Sequence, residues 1–194
     1  MRAERGTARE RLLLSTAQLV EQRGVNAVGV DAIAEQAGIT KRTLYLHFKG
    51  KDSLVSQALS ARSQAWHDWF AAELDRRGRG PRQQLLAMFD VIGQAAAADG
   101  YRGCVFVNAA ADLPDARHPA RTVVSEHKQR LLDVISGLCR RLGARRPDQL
   151  ARQLKLLLEG VVATALVDPG EQPARDARAI AETLIAQERA PHDR

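Results

Sequence analysis

The chain has 194 residues and a net charge of +6, and its first 51 residues carry nine Lys and Arg against five Asp and Glu, or +4 of that total. Such a basic region attracts nucleic-acid phosphate, and an aromatic content of 4% leaves few rings for stacking on single-stranded bases, so duplex DNA is favoured over RNA or a membrane surface. No apolar run reaches the roughly 18 residues of a membrane span and the start lacks the apolar core of a signal peptide, so we expect no membrane association and a cytoplasmic location.

The hydrophobic pattern predicts an all-α chain of about nine helices. We expect two domains, at residues 1–51 and 52–194, with the fourth helix joining them. The first helix begins after Thr7, which is spaced to form a capping box with Glu10, and it ends at Gly24. Turns that contain glycine or proline separate the other helices, which are predicted at 30–37, 41–48, 52–77, 81–98, 104–113, 119–142, 147–167 and 173–189.

The segment VDAIAEQAGITKRTLYLHFKGK, residues 30–51, encodes two short helices joined by a sharp turn. Apolar residues recur along one face of the first helix, at Val30, Ile33, Ala34 and Ala37. Gly38 is expected to end this helix at a positive φ, and Thr40 is placed to cap the next one. The segment therefore predicts a helix-turn-helix unit, although helical hairpins with a glycine turn also occur in proteins that do not bind DNA.

The second short helix has an inner and an outer face. Leu44 and Phe48 point inward, which leaves Arg42 to pair with guanine and Leu46 or the Thr43 methyl group to meet a thymine methyl group in the major groove. The neighbouring polar residues, Lys49 among them, suit phosphates, and Lys41 could contact either base or phosphate. The candidate DNA-binding residues are Thr40, Lys41, Arg42, Thr43, Tyr45, Leu46, His47 and Lys51.

Residues 9–59 resemble the N-terminal domain of the tetracycline-repressor (TetR) family of transcriptional regulators. The most specific part is GITKRTLYLHFKGKDSL, residues 38–54. Two positions depart from the family pattern: Gly29 stands where a capping Ser or Thr that touches phosphate is frequent, and Leu14 where a polar residue is usual. The resemblance implies a three-helix DNA-binding domain, a C-terminal helical bundle for ligand binding and dimerisation, and a bacterial regulator, most often a repressor.

The last two helices carry more apolar surface than one core needs, which suggests a homodimer. Gly160, Ala163 and Thr164 are small enough for close helix approach, although both apolar stripes could be used within one monomer. The resemblance implies a four-helix dimer interface, which would set two reading helices about 34 Å apart on a palindromic operator. The two stripes are Leu150, Leu154, Leu157, Leu158, Val161, Val162, Ala165 and Leu166, and Ala177, Ile180, Ala181, Leu184 and Ile185.

The resemblance also implies a small-molecule effector that binds among the middle helices and releases DNA. The apolar and aromatic character of those helices favours a hydrophobic or amphipathic effector. Each candidate could instead serve the core alone. The candidate effector-binding residues are Trp66, Trp69, Phe70, Met88, Phe89, Ile92, Phe106, Asn108 and His127.

Other functions are less well supported by the sequence. It has no glycine-rich phosphate loop, nucleophile elbow or HExxH motif, so we expect no enzyme and no cofactor. Cys104 and Cys139 match no paired metal motif, and His118 and His127 form none either, so no metal site is expected. Two alternatives remain: a regulator that senses oxidants through Cys104 beside Arg102, and a helical interaction module whose basic head binds an acidic protein.

Overall fold

The computed structural model describes residues 6–188, which form nine α-helices and no β-strand. The predicted helix boundaries agree with the structure to within about two residues, the usual uncertainty at helix ends. The predicted end of the ninth helix, Arg189, lies outside the described residues. The helices are α1 (Ala8–Arg23), α2 (Val30–Gln36), α3 (Lys41–His47), α4 (Lys51–Arg77), α5 (Pro81–Ala96), α6 (Val105–Asp112), α7 (Pro119–Arg141), α8 (Pro147–Val167) and α9 (Gln172–Glu188).

The helices group into two compact units. The first contains the described residues up to Trp66 together with Cys104–His127, and the second contains His67–Gly103 together with the described residues from Lys128 onward. The first unit therefore combines α1–α3 with the start of α4, with α6 and with the start of α7. The domain boundary that the sequence suggests after Lys51 remains a prediction. Within residues 6–188, the helices are all too short or too polar to span a membrane.

Local sequence signals explain how α1–α3 begin and end. The Thr7 hydroxyl accepts from the amide of Glu10 at 3.3 Å, and the Glu10 carboxylate accepts from the amide of Thr7 at 2.9 Å, which completes the predicted capping box. Gly38 follows α2 at a φ of +63°, a conformation that an L side chain would strain. The amide of Ile39 donates to the carbonyl of Ala34 at 2.9 Å. This bond closes the end of α2 and makes the turn into α3 short.

The three short helices share one apolar core with the start of α4. On α1, the buried Thr16 satisfies its hydroxyl by donating to the carbonyl of Leu12 at 2.7 Å. This buried set, drawn from α1–α4 and their connections, packs against the inner face of α3. The buried members are Leu12, Leu19, Val28, Ile33, Ala34, Ala37, Leu44, Phe48 and Leu54.

A second core in the first unit joins α1 and α4 to α6 and α7. Val20 and Val25 contribute from α1 and the segment after it, and Val55 and Leu59 contribute from α4. The α6 and α7 region supplies Phe106, Ala109, Leu113, Ala120 and Val124. The DNA-binding head predicted from the sequence is therefore packed directly against α6.

The second unit is built around α5, α8 and α9, which contact one another pairwise. The approach of α5 to α9 is close: a Cβ atom on Gly93 would lie 2.4 Å from the Cβ of Ala174, so only glycine fits there. At the end of α9, the Glu188 carboxylate accepts from the side chain of Arg146 at 2.5 Å and from its amide at 3.0 Å. The Arg146 guanidinium lowers the pKa of Glu188 below its ordinary value.

Candidate DNA-binding site

The outer face of α3 is displayed as the sequence predicts. Leu44 and Phe48 are buried in the head core, whereas Leu46 is 77% exposed and Arg42 and Tyr45 are also exposed. Leu46 contributes little to internal packing, because most of its side chain is exposed. Its placement beside a guanidinium matches a surface that reads base edges in a major groove.

The first turn of α3 is fixed by hydrogen bonds. The Thr40 hydroxyl accepts from the amide of Thr43 at 3.2 Å, which confirms Thr40 as the N-cap. The Thr40 and Thr43 hydroxyl groups also lie 2.9 Å apart and share a hydrogen bond. Lys41 forms an ion pair with Asp31 of α2. Because both partners are largely exposed, this pair is weak enough for a DNA phosphate to compete with Asp31 for the lysine.

Two lysines, one aspartate and several uncharged polar side chains surround the N-terminus of α4. A cleft of about 490 Å³ lies there. Its lining includes Lys51, where α4 begins, and the exposed His47 ends α3 nearby in sequence. Because the positive end of a helix dipole and lysine side chains both favour anions, the cleft suits a DNA phosphate. The cleft is lined by Lys49, Gly50, Lys51, Asp52, Ser53, Ser56, Gln57 and Pro119.

Arg9 is a basic residue of this region that sequence reasoning missed. Its guanidinium lies 5.6 Å from the centre of the Phe48 ring and donates to the Gln57 side chain at 2.6 Å. It therefore connects the first turn of α1 to the residues that follow α3. The signal in the sequence was a basic residue in the first turn of α1. Its position near Phe48 and Gln57 could not be predicted, because it depends on how α1 crosses α4.

The four candidate effector residues of the first unit include an aromatic cluster. The buried His127 ring stacks on Phe106 with centroids 3.6 Å apart and meets Trp66 edge-on at 5.1 Å. Its Nδ1 shares a hydrogen bond of 3.0 Å with the buried hydroxyl of Ser63. Asn108 is half-buried on the same helix as Phe106. The structure thus places the Trp66 and Phe106 rings against the His127 imidazole.

The other five candidate effector residues belong to the second unit. Phe70 and Met88 are fully buried, whereas Trp69 is exposed, with its ring 6.4 Å from that of Phe70. Phe89 and Ile92 are buried on α5. Effector binding by these residues remains a prediction.

One face of α8 stays exposed in the monomer. Leu156 is 73% and Val167 78% exposed, and Gly160 and Ala163 lie between them on the same face, at helical spacing. On α9, Ile180 is also exposed. The predicted stripe on α8 is largely the opposite, buried face, so sequence reasoning missed Leu156. The signal in the sequence was that Leu156 is a leucine directly beside Leu157 of the predicted stripe, on the other side of the helix.

The two cysteines lie in different environments, and neither forms a disulfide. Cys139 is buried in α7, and this burial raises the pKa of its thiol to about 12, so it stays protonated and unreactive near neutral pH. Cys104 is half-buried at the N-cap of α6. Within residues 6–188, His, Cys, Asp and Glu side chains nowhere cluster in threes that could hold a metal ion.

A helix-turn-helix whose second helix exposes Arg42 and Leu46, with lysines at the N-terminus of the next helix, is typical of DNA-binding proteins of the helix-turn-helix class. Residues 12–58 match the family model described as bacterial regulatory proteins, tetR family. Residues 109–187 match the model described as tetracyclin repressor-like, C-terminal domain. The chain belongs to the TetR family of transcriptional regulators.

Similar proteins span nearly the whole chain. A TetR transcriptional regulator from Streptomyces avermitilis is 33% identical, covers 94% of this chain and 98% of its own, and superimposes with a TM-score of 0.82. The TetR-family regulator SCO4454 from Streptomyces coelicolor is 30% identical over 93% of this chain and 89% of its own, with a TM-score of 0.85. The HTH-type transcriptional regulator YjdC from Escherichia coli is 25% identical over 91% of this chain and 93% of its own.

Proposed function

We propose that this regulator is a homodimeric repressor that binds a palindromic DNA operator in the bacterial cytoplasm and is released by a small-molecule effector. The observation that carries the proposal is the outer face of α3, where Arg42 and the 77% exposed Leu46 point away from the head core. A face of this composition gains free energy by entering a major groove, where it finds hydrogen-bond acceptors and thymine methyl groups.

The proposed contacts divide into base and phosphate contacts. Arg42 pairs with a guanine, and Leu46 with the Thr43 methyl group meets thymine methyl groups. The phosphate contacts set the register of the protein on the duplex without carrying sequence information. They come from Thr40, Lys41, Tyr45, His47 and Lys51.

We propose that the dimer partner of this chain is a second copy bound along α8 and α9. The exposed row on α8 supports this interface, because Leu156 and Val167 gain from burial and Gly160 permits close approach. A Cβ atom on Gly160 would meet nothing within 4 Å in the monomer, so the space above this face is open. A two-fold axis would then present two α3 helices to half-sites about 34 Å apart.

The proposed effector is hydrophobic or amphipathic. The ring cluster of Trp66, Phe106 and His127 supports this class, because it offers aromatic surface around one imidazole. A ligand releases DNA only if it binds the released conformation more tightly than the DNA-bound one. Repression is the proposed mode because a dimer on a promoter blocks transcription by occupancy alone.

The test is selection of bound duplexes from a randomised DNA pool with the purified protein at moderate salt, read by sequencing. We expect a palindromic consensus with two half-sites one helical turn apart, or a multiple of it. Binding without sequence preference would overturn the proposal, since α3 would then read no bases. A reporter driven by a promoter with the selected site should be less active when the protein is present. A more active reporter would replace repression with activation.

A further inference from the structure

We propose that Asp112, at the end of α6, is a positioning residue that fixes the DNA-binding head for operator binding. This inference deepens the proposed function and rests on it. The head, α1–α3, is joined covalently to the following residues at α4. Asp112 supplies a second attachment, from α6 to the connection between α1 and α2.

Two hydrogen bonds form this attachment. The amide of Val25 donates to Oδ2 of Asp112 at 2.6 Å, and the Asn26 side chain donates to the carbonyl of Asp112 at 2.8 Å. The first is a short bond to a carboxylate, which belongs to the stronger class of hydrogen bonds. Val25 is buried, so its amide would lose its partner in a setting where water replaces it poorly.

Gly24 makes room for this carboxylate. Its φ is +80°, and a Cβ atom there would lie 2.6 Å from Oδ2 of Asp112. A side chain at this position would displace the carboxylate from the Val25 amide. The glycine that ends α1 therefore also seats the side chain that holds the following residues.

The same helix connects the head to the aromatic cluster. Phe106, in the first turn of α6, stacks on His127 of α7, and Asp112 is the last residue of α6. Buried contacts of Val20 and Val25 with the α6 region support the connection along its length. Asp112 therefore attaches the head to the helix whose first turn carries the Phe106 ring.

The attachment gives a specific expectation for DNA binding. One head can bind a single half-site whatever its orientation relative to the rest of the protein. The two heads of a dimer must instead be oriented so that both half-sites are matched together. A head that has lost the bond from Val25 to Asp112 is held less firmly against α6 and samples more orientations, and this freedom must be lost on the full operator. Asp112 therefore contributes to the preference for the palindrome over a half-site.

The experiment measures the affinity of the full-length protein for the selected palindrome and for a duplex with one half-site. We expect Asp112→Ala to reduce the ratio of these affinities by roughly tenfold. Without the bond that held the head, binding of the full operator must restrict the head itself, and one hydrogen bond to a charged group corresponds to a change of about this size. Half-site binding should stay within about twofold of the wild-type value. Asp112→Asn keeps an acceptor for Val25 and should restore most of the ratio.

Asp115→Ala is the matched control. This carboxylate lies three positions further along the chain but is exposed and bonds within its own turn, to the amide of Arg117 at 2.9 Å. It should leave the ratio unchanged. Hydrogen exchange of the peptide that contains Val25 provides a second measurement, with faster exchange expected in Asp112→Ala and not in Asp115→Ala.

Three results would overturn the role of Asp112: an unchanged ratio in Asp112→Ala, an equal loss on both duplexes, which indicates general damage to the head, or unchanged exchange at Val25. A wild-type protein with no preference for the palindrome would instead overturn the dimeric operator reader, and this role of Asp112 with it. Because that result appears in the wild type, the two failures can be told apart.

Discussion

At the scale of single residues, Arg42 and Lys51 both belong to the motif of residues 30–51, but we expect them to make different contacts with DNA. Arg42 is exposed on the outer face of α3, whereas Lys51 is half-buried where α4 begins, in the lysine-lined cleft. A guanidinium pairs bidentately with one guanine, and an ammonium at a helix N-terminus attracts any phosphate. Substitution of each should therefore change a different property of DNA binding.

We expect Arg42→Ala to cost about 1 to 3 kcal/mol on the selected operator and to relax specificity at one base pair. Lys51→Ala should weaken operator and random DNA to a similar extent and lower the slope of log affinity against log salt by about one. Titrations of both variants on both duplexes, at several salt concentrations, provide the measurement. Equal losses for Arg42→Ala on operator and random DNA would contradict its role in base reading.

Some features of individual residues in α3 could be predicted from the sequence, and others could not. The inward Leu44 and outward Leu46 follow from helical periodicity alone, and the Thr40 cap follows from residue type and spacing. The ion pair of Lys41 with Asp31 does not follow, because it depends on the angle at which α3 crosses α2. The predicted DNA contact of Lys41 is therefore one that a protein group already competes for.

At the scale of helices, α2 begins without a side-chain cap. Gly29 occupies its N-cap with extended backbone, at a φ of −93°, and a Cβ atom there would meet nothing within 4 Å. A serine therefore fits without strain and can accept from an amide of the first turn. We expect Gly29→Ser to stabilise the fold by about 0.5 to 1 kcal/mol, through the cap and the lost freedom of glycine in the unfolded chain.

Gly29→Ser should also raise the affinity for operator and random DNA alike, since the new hydroxyl can touch a phosphate, and leave the salt slope unchanged because it carries no charge. Thermal melting and DNA titration measure the two effects. Gly80→Ser is the matched control: Gly80 is the uncapped N-cap of α5, in the second unit. Gly80→Ser should raise the melting temperature without changing DNA affinity. If Gly29→Ser also left DNA affinity unchanged, that result would contradict the expected contact between its hydroxyl and a phosphate.

The helices themselves could be predicted because caps, glycines and apolar spacing are local signals. The grouping of α6 with the head could not, because the bond from Val25 to Asp112 joins residues 87 positions apart. The cluster of Trp66, Phe106 and His127 likewise draws on three different helices. Periodicity identifies which face of each helix is buried, but not which other helix covers it.

At the scale of the whole molecule, the exposed apolar row on α8 is the surface along which we propose that a second copy binds. Leu156, Gly160, Ala163 and Val167 are separated by four, three and four positions, which places them on one face. The Leu156 side chain packs little within the monomer, where it is 73% exposed. A charge at this position should therefore be harmless to a monomer and costly in a dimer.

We expect Leu156→Glu to convert the protein to monomers, because a two-fold interface along α8 would bury an unpaired carboxylate at a cost of about several kcal/mol. Light scattering after size exclusion, at matched protein concentration, measures the change in mass. Leu14→Glu is the matched control, since Leu14 is 60% exposed on α1, outside the proposed interface, and this variant should stay dimeric. The Leu156→Glu monomer should bind a single half-site like one wild-type head and lose the added affinity of the palindrome. A Leu156→Glu protein that remained dimeric would place the interface elsewhere on the chain.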